Sequence, residues 1–260
     1  MQTTAERAAA GLVNRVPEVT LTFWTIKIMA TTVGETAADL MNATLGLGLA
    51  NTSLVMAALL AAALAAQFRA RRYVPSIYWV SVVLISIVGT LITDNLTDHL
   101  GVALPLSTAI FAAGLAAAFT AWYASEKTLS IHTIFTARRE TFYWAAILLT
   151  FALGTAGGDL MAETMQLGYL NSALIFGAAI AAVTLGYYAL GLNAVAAFWM
   201  AYILTRPFGA SFGDLLSQPV AAGGLGLGTA ATSGVFLAVI LGLIAWMNAA
   251  QRRLAQTAST

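Results

Sequence analysis

The chain has no cysteine among its 260 residues, which removes disulfides, thiolate metal sites and thiol nucleophiles together. It is also poor in charge. Asp, Glu, Lys and Arg make up 9% of it, against roughly 25% in a soluble domain. Two histidines, His99 and His132, are too few for a zinc site built from several imidazoles. A formal net charge of +1, with no basic stretch interleaved with aromatics, leaves no footprint for nucleic acid. HExxH does not occur, so that metallohydrolase signature is missing.

What remains is apolar: 60% of the residues are hydrophobic, and several runs reach the ~20 residues that span a bilayer. The reading is an all-α, polytopic membrane protein, one membrane domain over residues 1–260. Eight transmembrane helices are expected at about 19–43, 50–67, 77–97, 106–124, 142–164, 170–190, 194–217 and 229–249. The leading stretch MQTTAERAAAGLVNR has no apolar signal core or cleavage site, so the first span is expected to be retained. Arg7, Arg15, Arg69, Arg71, Arg72, Lys127, Arg138, Arg139, Arg252 and Arg253 fall before the first span or after even-numbered spans. Loops after odd spans carry no Lys or Arg, which predicts both termini in the cytoplasm. Trp24, Trp79, Trp122, Trp144, Trp199 and Trp246 fall toward that same side, where they are expected as an interfacial belt.

Acids recur in pairs at the ends of the odd spans: Glu35 and Asp39, Asp94 and Asp98, Asp159 and Glu163, then Asp214 with Gln218. Seven of the eleven acidic residues lie in this pattern. A spacing of four puts both members on one helix face. First members are separated by 59, 65 and 55 residues. The unit is a helix with an acidic pair, a short loop, and a second apolar helix opened by small hydroxyl residues. Four such two-helix repeats are expected at about 16–72, 73–124, 140–190 and 191–250. A two-span unit returns to the same side, so the copies are parallel around an axis along the membrane normal.

The stretches RVPEVTLTFWTIKIMATTVGETAADLM, TDNLTDHLGV, GTAGGDLMAE, LNAVAAFWMAYILTRPFGASFGDLLSQP and GGLGLGT carry a resemblance. The chain resembles the bacterial integral membrane proteins built from a four-copy repeat of unknown function, an uncharacterised membrane-anchored family. The resemblance implies a multi-pass protein of a bacterial inner membrane. It brings no activity, so chemistry has to come from the residues.

Val19 to Glu35 is sixteen residues, roughly 24 Å of helix, which puts Glu35 inside the outer half of a ~30 Å hydrocarbon layer. Acids at such depth mark function by default. Two carboxylates at i,i+4 repel unless a proton or cation lies between them. Glu35, Asp39, Asp94, Asp98, Asp159, Glu163, Asp214 and Gln218 are therefore the expected cation ligands. Asn42, Asn95, Thr32, Thr93, Thr97, Thr155 and Ser211 supply further oxygens, and His99 reads as a loop residue. Hard oxygen ligands suit manganese, magnesium or calcium. Gly34, Gly89, Gly157, Gly158, Gly213 and Pro207 predict local helix breaks near the acids, and the Gly-rich outer stretch after Pro219 predicts a flexible connection or lid. Lys27 and Arg206, the basic residues inside spans, are each expected to pair with a carboxylate. The function expected is cation transport, foremost of a divalent hard metal such as manganese, with proton coupling through Lys27. A proton or monovalent-cation pathway is the alternative. An intramembrane enzyme using paired acids is the alternative of another class, disfavoured because four equivalent pairs suit a ligand cage better than one catalytic dyad. The expected partners are the lipid bilayer and the cation.

Overall fold

The structure is a computed structural model that describes residues 14–257; Arg7 and both chain ends lie outside the described residues. Eight long helices carry the fold: α1 Leu21–Asp39, α2 Leu49–Arg69, α3 Pro75–Asp94, α4 Leu104–Glu126, α5 Ala137–Asp159, α6 Gly168–Leu190, α7 Ala194–Ser217 and α8 Thr229–Thr257. No strand occurs among the described residues. Side chains cap several N-termini: Thr20 accepts from the Phe23 N–H, Thr136 from Arg139, and Asn193 from Val195 and Ala196. Pro75 and Pro105 occupy first-turn positions, where a missing N–H costs nothing.

Six of these helices, α2 to α6 and α8, are long and apolar enough to cross a membrane, the signature of a multi-pass membrane protein. Helices α1 and α7 miss that mark because they carry Lys27, Glu35 and Asp39, and Arg206 and Asp214.

The packing separates inner from outer helices. Helix α1 packs on α3, α3 on α5, α5 on α7, and α7 returns to α1, closing a ring of four. The outer helices do not pack chiefly on their own copy's inner helix. Instead α2 lies on α3, α4 on α5, α6 on α7, and α8 on α1. The copies thus form an interlocked ring, in which each copy covers the next. The reason is burial: the inner helices need cover on several sides, whereas α2, α4 and α6 bury only a narrow stripe and leave the rest of their apolar surface outward.

Four glycines let the inner helices approach. A Cβ added at Gly34 would collide with Ser86, at Gly89 with Phe151, at Gly154 with Arg206, and at Gly209 with Thr31. Each glycine touches the following copy, and the last touches the first. These contacts fix the register of the repeat. The glycines stand five residues before Asp39, Asp94, Asp159 and Asp214, and Trp24, Trp79, Trp144 and Trp199 stand fifteen before the same four aspartates. The in-register acid of the first copy is thus Asp39, not Glu35. Counting from Glu35 is one helical turn early, because an i,i+4 acid pair looks the same from either phase of a helix. The true spacings are 55, 65 and 55 residues. Glu35 lies level with Thr90, Thr155 and Ala210.

The tryptophans depart from the expected belt. Trp79, Trp122, Trp144 and Trp199 are buried, Trp24 is half-buried, and only Trp246 is broadly exposed. With Phe23, Tyr78, Tyr143, Phe198 and Tyr202 they form an aromatic floor across the ring, away from the acids. The Tyr78 and Tyr143 hydroxyls bond each other, and the Trp199 indole donates to the Leu129 carbonyl at 2.9 Å. Below the floor, Arg15 pairs with the fully buried Glu140 at 2.6 Å, and the Gln67 amide donates to the other Glu140 oxygen at 2.9 Å. Arg15 is thus a structural tie and not a free interfacial charge.

The ring contacts make a testable distinction between glycines. Gly209→Val drives a side chain into Thr31 and is expected to destabilise the protein by about 1–3 kcal/mol. Gly157→Ala meets nothing within 4 Å and should leave the melting temperature in detergent unchanged or raised. Equal losses in the two variants would contradict close helix approach as the role of Gly209.

Candidate functional site

Helices α1, α3 and α5 do not unwind at their glycines. Each runs through its aspartate into a wider π-type turn, Leu40–Thr44, Asn95–His99 and Leu160–Thr164. The closing bonds span five residues: Leu45 N–H to Leu40 at 2.8 Å, Leu100 to Asn95 at 3.0 Å, and Met165 to Leu160 at 2.9 Å. Pro207 lies inside an unbroken α7, beside Gly154. Helix α7 stops at Ser217 before Pro219, and the glycine-rich stretch folds back on it. Leu225, Gly226, Leu227 and Gly228 donate N–H bonds to the carbonyls of Leu215, Gln218, Leu216 and Ser217. That stretch is a tied cap on the end of α7 and not a loose connection.

These helix ends surround a cavity of about 150 Å³. All eight residues singled out by the sequence line it: Glu35, Asp39, Asp94, Asp98, Asp159, Glu163, Asp214 and Gln218. Asn42, Thr97, Leu104 and Tyr169 complete the wall. Glu35 and Asp214 are buried at the base; Asp39, Asp94, Asp159 and Gln218 are half-buried; Asp98 and Glu163 are exposed at the rim.

The eight are not equivalent. Glu35, Asp159 and Asp214 each offer a carboxylate oxygen within 4.8 Å of the others. Asp94 lines the same cavity but stands outside this trio. Asp39 accepts from the Gln218 amide at 3.2 Å, and Thr97 donates to Asp98 at 3.0 Å.

The base of the cavity is an ion pair that the sequence did not place. Arg206, fully buried, donates to Glu35 Oε2 at 2.9 Å, to the Thr155 hydroxyl at 2.7 Å, to the Thr90 hydroxyl, and to the Thr31 carbonyl at 3.1 Å. It pairs across the ring with copy 1, and not with Asp214 on its own helix. Lys27, at 1% exposure, has no carboxylate and no hydrogen-bond partner among the described residues. Its ammonium stands 4.3 Å from the centre of the Tyr202 ring and 4.5 Å from that of Phe151. The expected Lys27 ion pair is therefore corrected. Neighbouring helices bring rings to it, and the cation–π contact takes the place of an anion.

The secondary oxygens also sort themselves. Asn42 and Thr97 face the cavity. Asn95 is turned to Ser53 and Leu91, Thr93 to the Ala152 carbonyl, and Thr32 to Ile28, while Thr155 belongs to Arg206. Ser211 is buried with its hydroxyl unpartnered. His99 is exposed and outside the lining. Tyr169, at the start of α6, lines the wall without having been singled out; nothing in LGYLNS sets it apart from a buried or interfacial tyrosine.

This donor set fits a hard cation. Oxygen atoms within 4.8 Å of one another can bind one ion at metal–oxygen distances of about 2.0–2.6 Å. Seven carboxylates border the cavity, and among the described residues Arg206 is the sole cation bonded to any of them.

Removing one member of the Arg206–Glu35 pair leaves the other buried without its partner. Glu35→Gln is expected to cost about 3–5 kcal/mol in unfolding experiments. Asp39→Asn keeps an acceptor for the Gln218 amide and should cost no more than about 1 kcal/mol. A Glu35→Gln variant as stable as wild type would show that Arg206 does not need its anion.

No curated protein and no solved structure matches the chain significantly. A family model for a Repeat of Unknown Function (DUF347) matches four successive segments, residues 22–73, 77–128, 142–192 and 197–253. Each segment starts seventeen residues before Asp39, Asp94, Asp159 or Asp214, the same register that the glycines and tryptophans define. These matches span most of the chain, and the protein belongs to the family of the Repeat of Unknown Function (DUF347).

Proposed function

We propose that the protein is a membrane transporter for a cation, foremost a divalent hard metal such as manganese, held by the carboxylates at the cavity base. One observation carries the reading: seven carboxylates border one small cavity, and among the described residues a single guanidinium is bonded to one of them, Glu35. Carboxylates so placed repel unless protons or a cation lie between them. The absence of cysteine and of any histidine in the lining favours magnesium, calcium or manganese over softer metals. A volume near 150 Å³ suits an ion with a few waters and is too small for a drug-sized organic cation.

In this reading all eight helices span the bilayer, with the four copies parallel about an axis along its normal. Helix α1, at 19 residues, and α7, at 24, reach ~28 and ~36 Å. Their charges point into the ring, which relieves the cost that kept them from looking apolar. The aromatic floor and the Lys/Arg-rich loops lie at the cytoplasmic end of a bacterial inner membrane, and the acidic cavity opens to the outside.

Reporter fusions at Arg71 and Arg138 are expected to read cytoplasmic, and fusions near Asn51 and Leu104 external; a reversed or mixed pattern would overturn the orientation. In proteoliposomes, Asp159→Asn or Asp214→Asn should weaken manganese binding and uptake by about tenfold or more, the equivalent of one lost strong ligand. Glu18→Gln, exposed before α1 on the opposite side, should leave both unchanged. Uptake that is insensitive to the cavity acids would rule out the cavity as the site.

A further inference from the structure

Two departures from the fourfold repeat meet at one point. Eight residues before the aspartate, copies 1 to 3 have Thr31, Ser86 and Phe151, but copy 4 has Arg206. Four residues before it, copies 2 to 4 have Thr90, Thr155 and Ala210, but copy 1 has Glu35. These two substitutions form the 2.9 Å ion pair. Glu35 also belongs to the trio whose carboxylates lie within 4.8 Å of one another, with Asp159 and Asp214. The guanidinium and an arriving cation therefore share a ligand. Lys27 shares no ligand with the cation, since its ammonium is bonded to no carboxylate among the described residues and faces the Phe151 and Tyr202 rings.

A guanidinium keeps its charge in a protein. With its three carboxylates ionised, the trio holds three negative charges, and Arg206 reduces this to two. That is the charge of one divalent ion. Close-range Coulomb energy scales with the product of the charges, so the net charge of the cage decides which valence it matches. We infer that Arg206 is a specificity-determining residue, a tethered counter-charge that tunes the Glu35–Asp159–Asp214 cage to divalent over trivalent cations. The inference rests on the proposed reading of this cavity as a cation site.

The test compares terbium(III), followed by its luminescence, with manganese(II), followed by electron paramagnetic resonance, on the purified full chain. Arg206→Gln raises the cage charge to three and is expected to shift the affinity ratio toward terbium by about tenfold or more. Arg206→Lys keeps the charge while losing the fork, and Glu35→Gln/Arg206→Gln removes both charges together. Both should hold the wild-type ratio to within about threefold, even where absolute affinities fall. The double variant also avoids an unpaired buried charge, so it remains informative if Arg206→Gln fails to fold. A tenfold terbium shift in the double variant or in Arg206→Lys overturns the inference, as does an unchanged ratio in a folded Arg206→Gln. If wild type binds manganese and these patterns fail, only the valence role falls. If wild type binds neither ion, the cation-site reading itself falls, and the valence role with it.

Discussion

The structure turns on the buried guanidinium of Arg206. A guanidinium keeps its charge inside an apolar bundle and is costly there unless bonded, and here the bonds come from three directions. Thr31 and Glu35 belong to α1, Thr90 to α3, and Thr155 to α5. One side chain on α7 therefore ties together all four inner helices. Gly154 makes the arrangement possible, because any side chain there would overlap the Arg206 stem. The base of the acidic cavity is thus set by closure of the ring and not by any one helix.

Around this point the four copies share a frame and differ in chemistry. Tryptophan, glycine and aspartate recur at fixed offsets, and each of the four glycines makes a close contact with the next copy. The departures fall one, two and three turns deeper than the aspartates. They are Glu35 among Thr90, Thr155 and Ala210; Arg206 among Thr31, Ser86 and Phe151; and Lys27 among Val82, Ile147 and Tyr202. Most of these side chains are buried in the ring. Repetition builds the frame, and a few substitutions toward the axis make one asymmetric site inside it.

The two ends of the ring are built differently. At the acidic end, helices open into π-type turns, and the carboxylates grade from buried to exposed. At the other, Tyr78, Tyr143, Tyr202 and the buried tryptophans fill the ring, and the Arg15–Glu140–Gln67 cluster ties the chain entering α1 to α2 and α5. A cation seated at the acids would meet Arg206, then Lys27, then close-packed rings before reaching the far end. On the proposed reading as a cation transporter, these groups would have to move for the ion to pass.

By itself the sequence determined the helices, because long apolar runs bounded by Gly, Pro and charge admit little else in a bilayer. It also picked out eight of the polar residues that line the cavity, since acids at i,i+4 in four copies stand out against so little other charge. Tertiary structure decided the rest. The register of copy 1 was ambiguous because Glu35 and Asp39 present the same spacing from either phase. The contacts of Gly34, Gly89, Gly154 and Gly209 with the next copy resolve it, in the register that the tryptophan spacing also carries. Which helix covers which is a matter of lateral packing that no single segment encodes, so α2 lies on α3 and not on α1. A tryptophan near a helix end suits an interface or a core equally well, and neighbours put four of the six inside. The fates of Lys27 and Arg206 diverged for the same reason: Arg206 found Glu35 across the ring, while Phe151 and Tyr202 surrounded Lys27 with rings. Spacing along a helix says which face a charge occupies, and the packed neighbours say what it meets there.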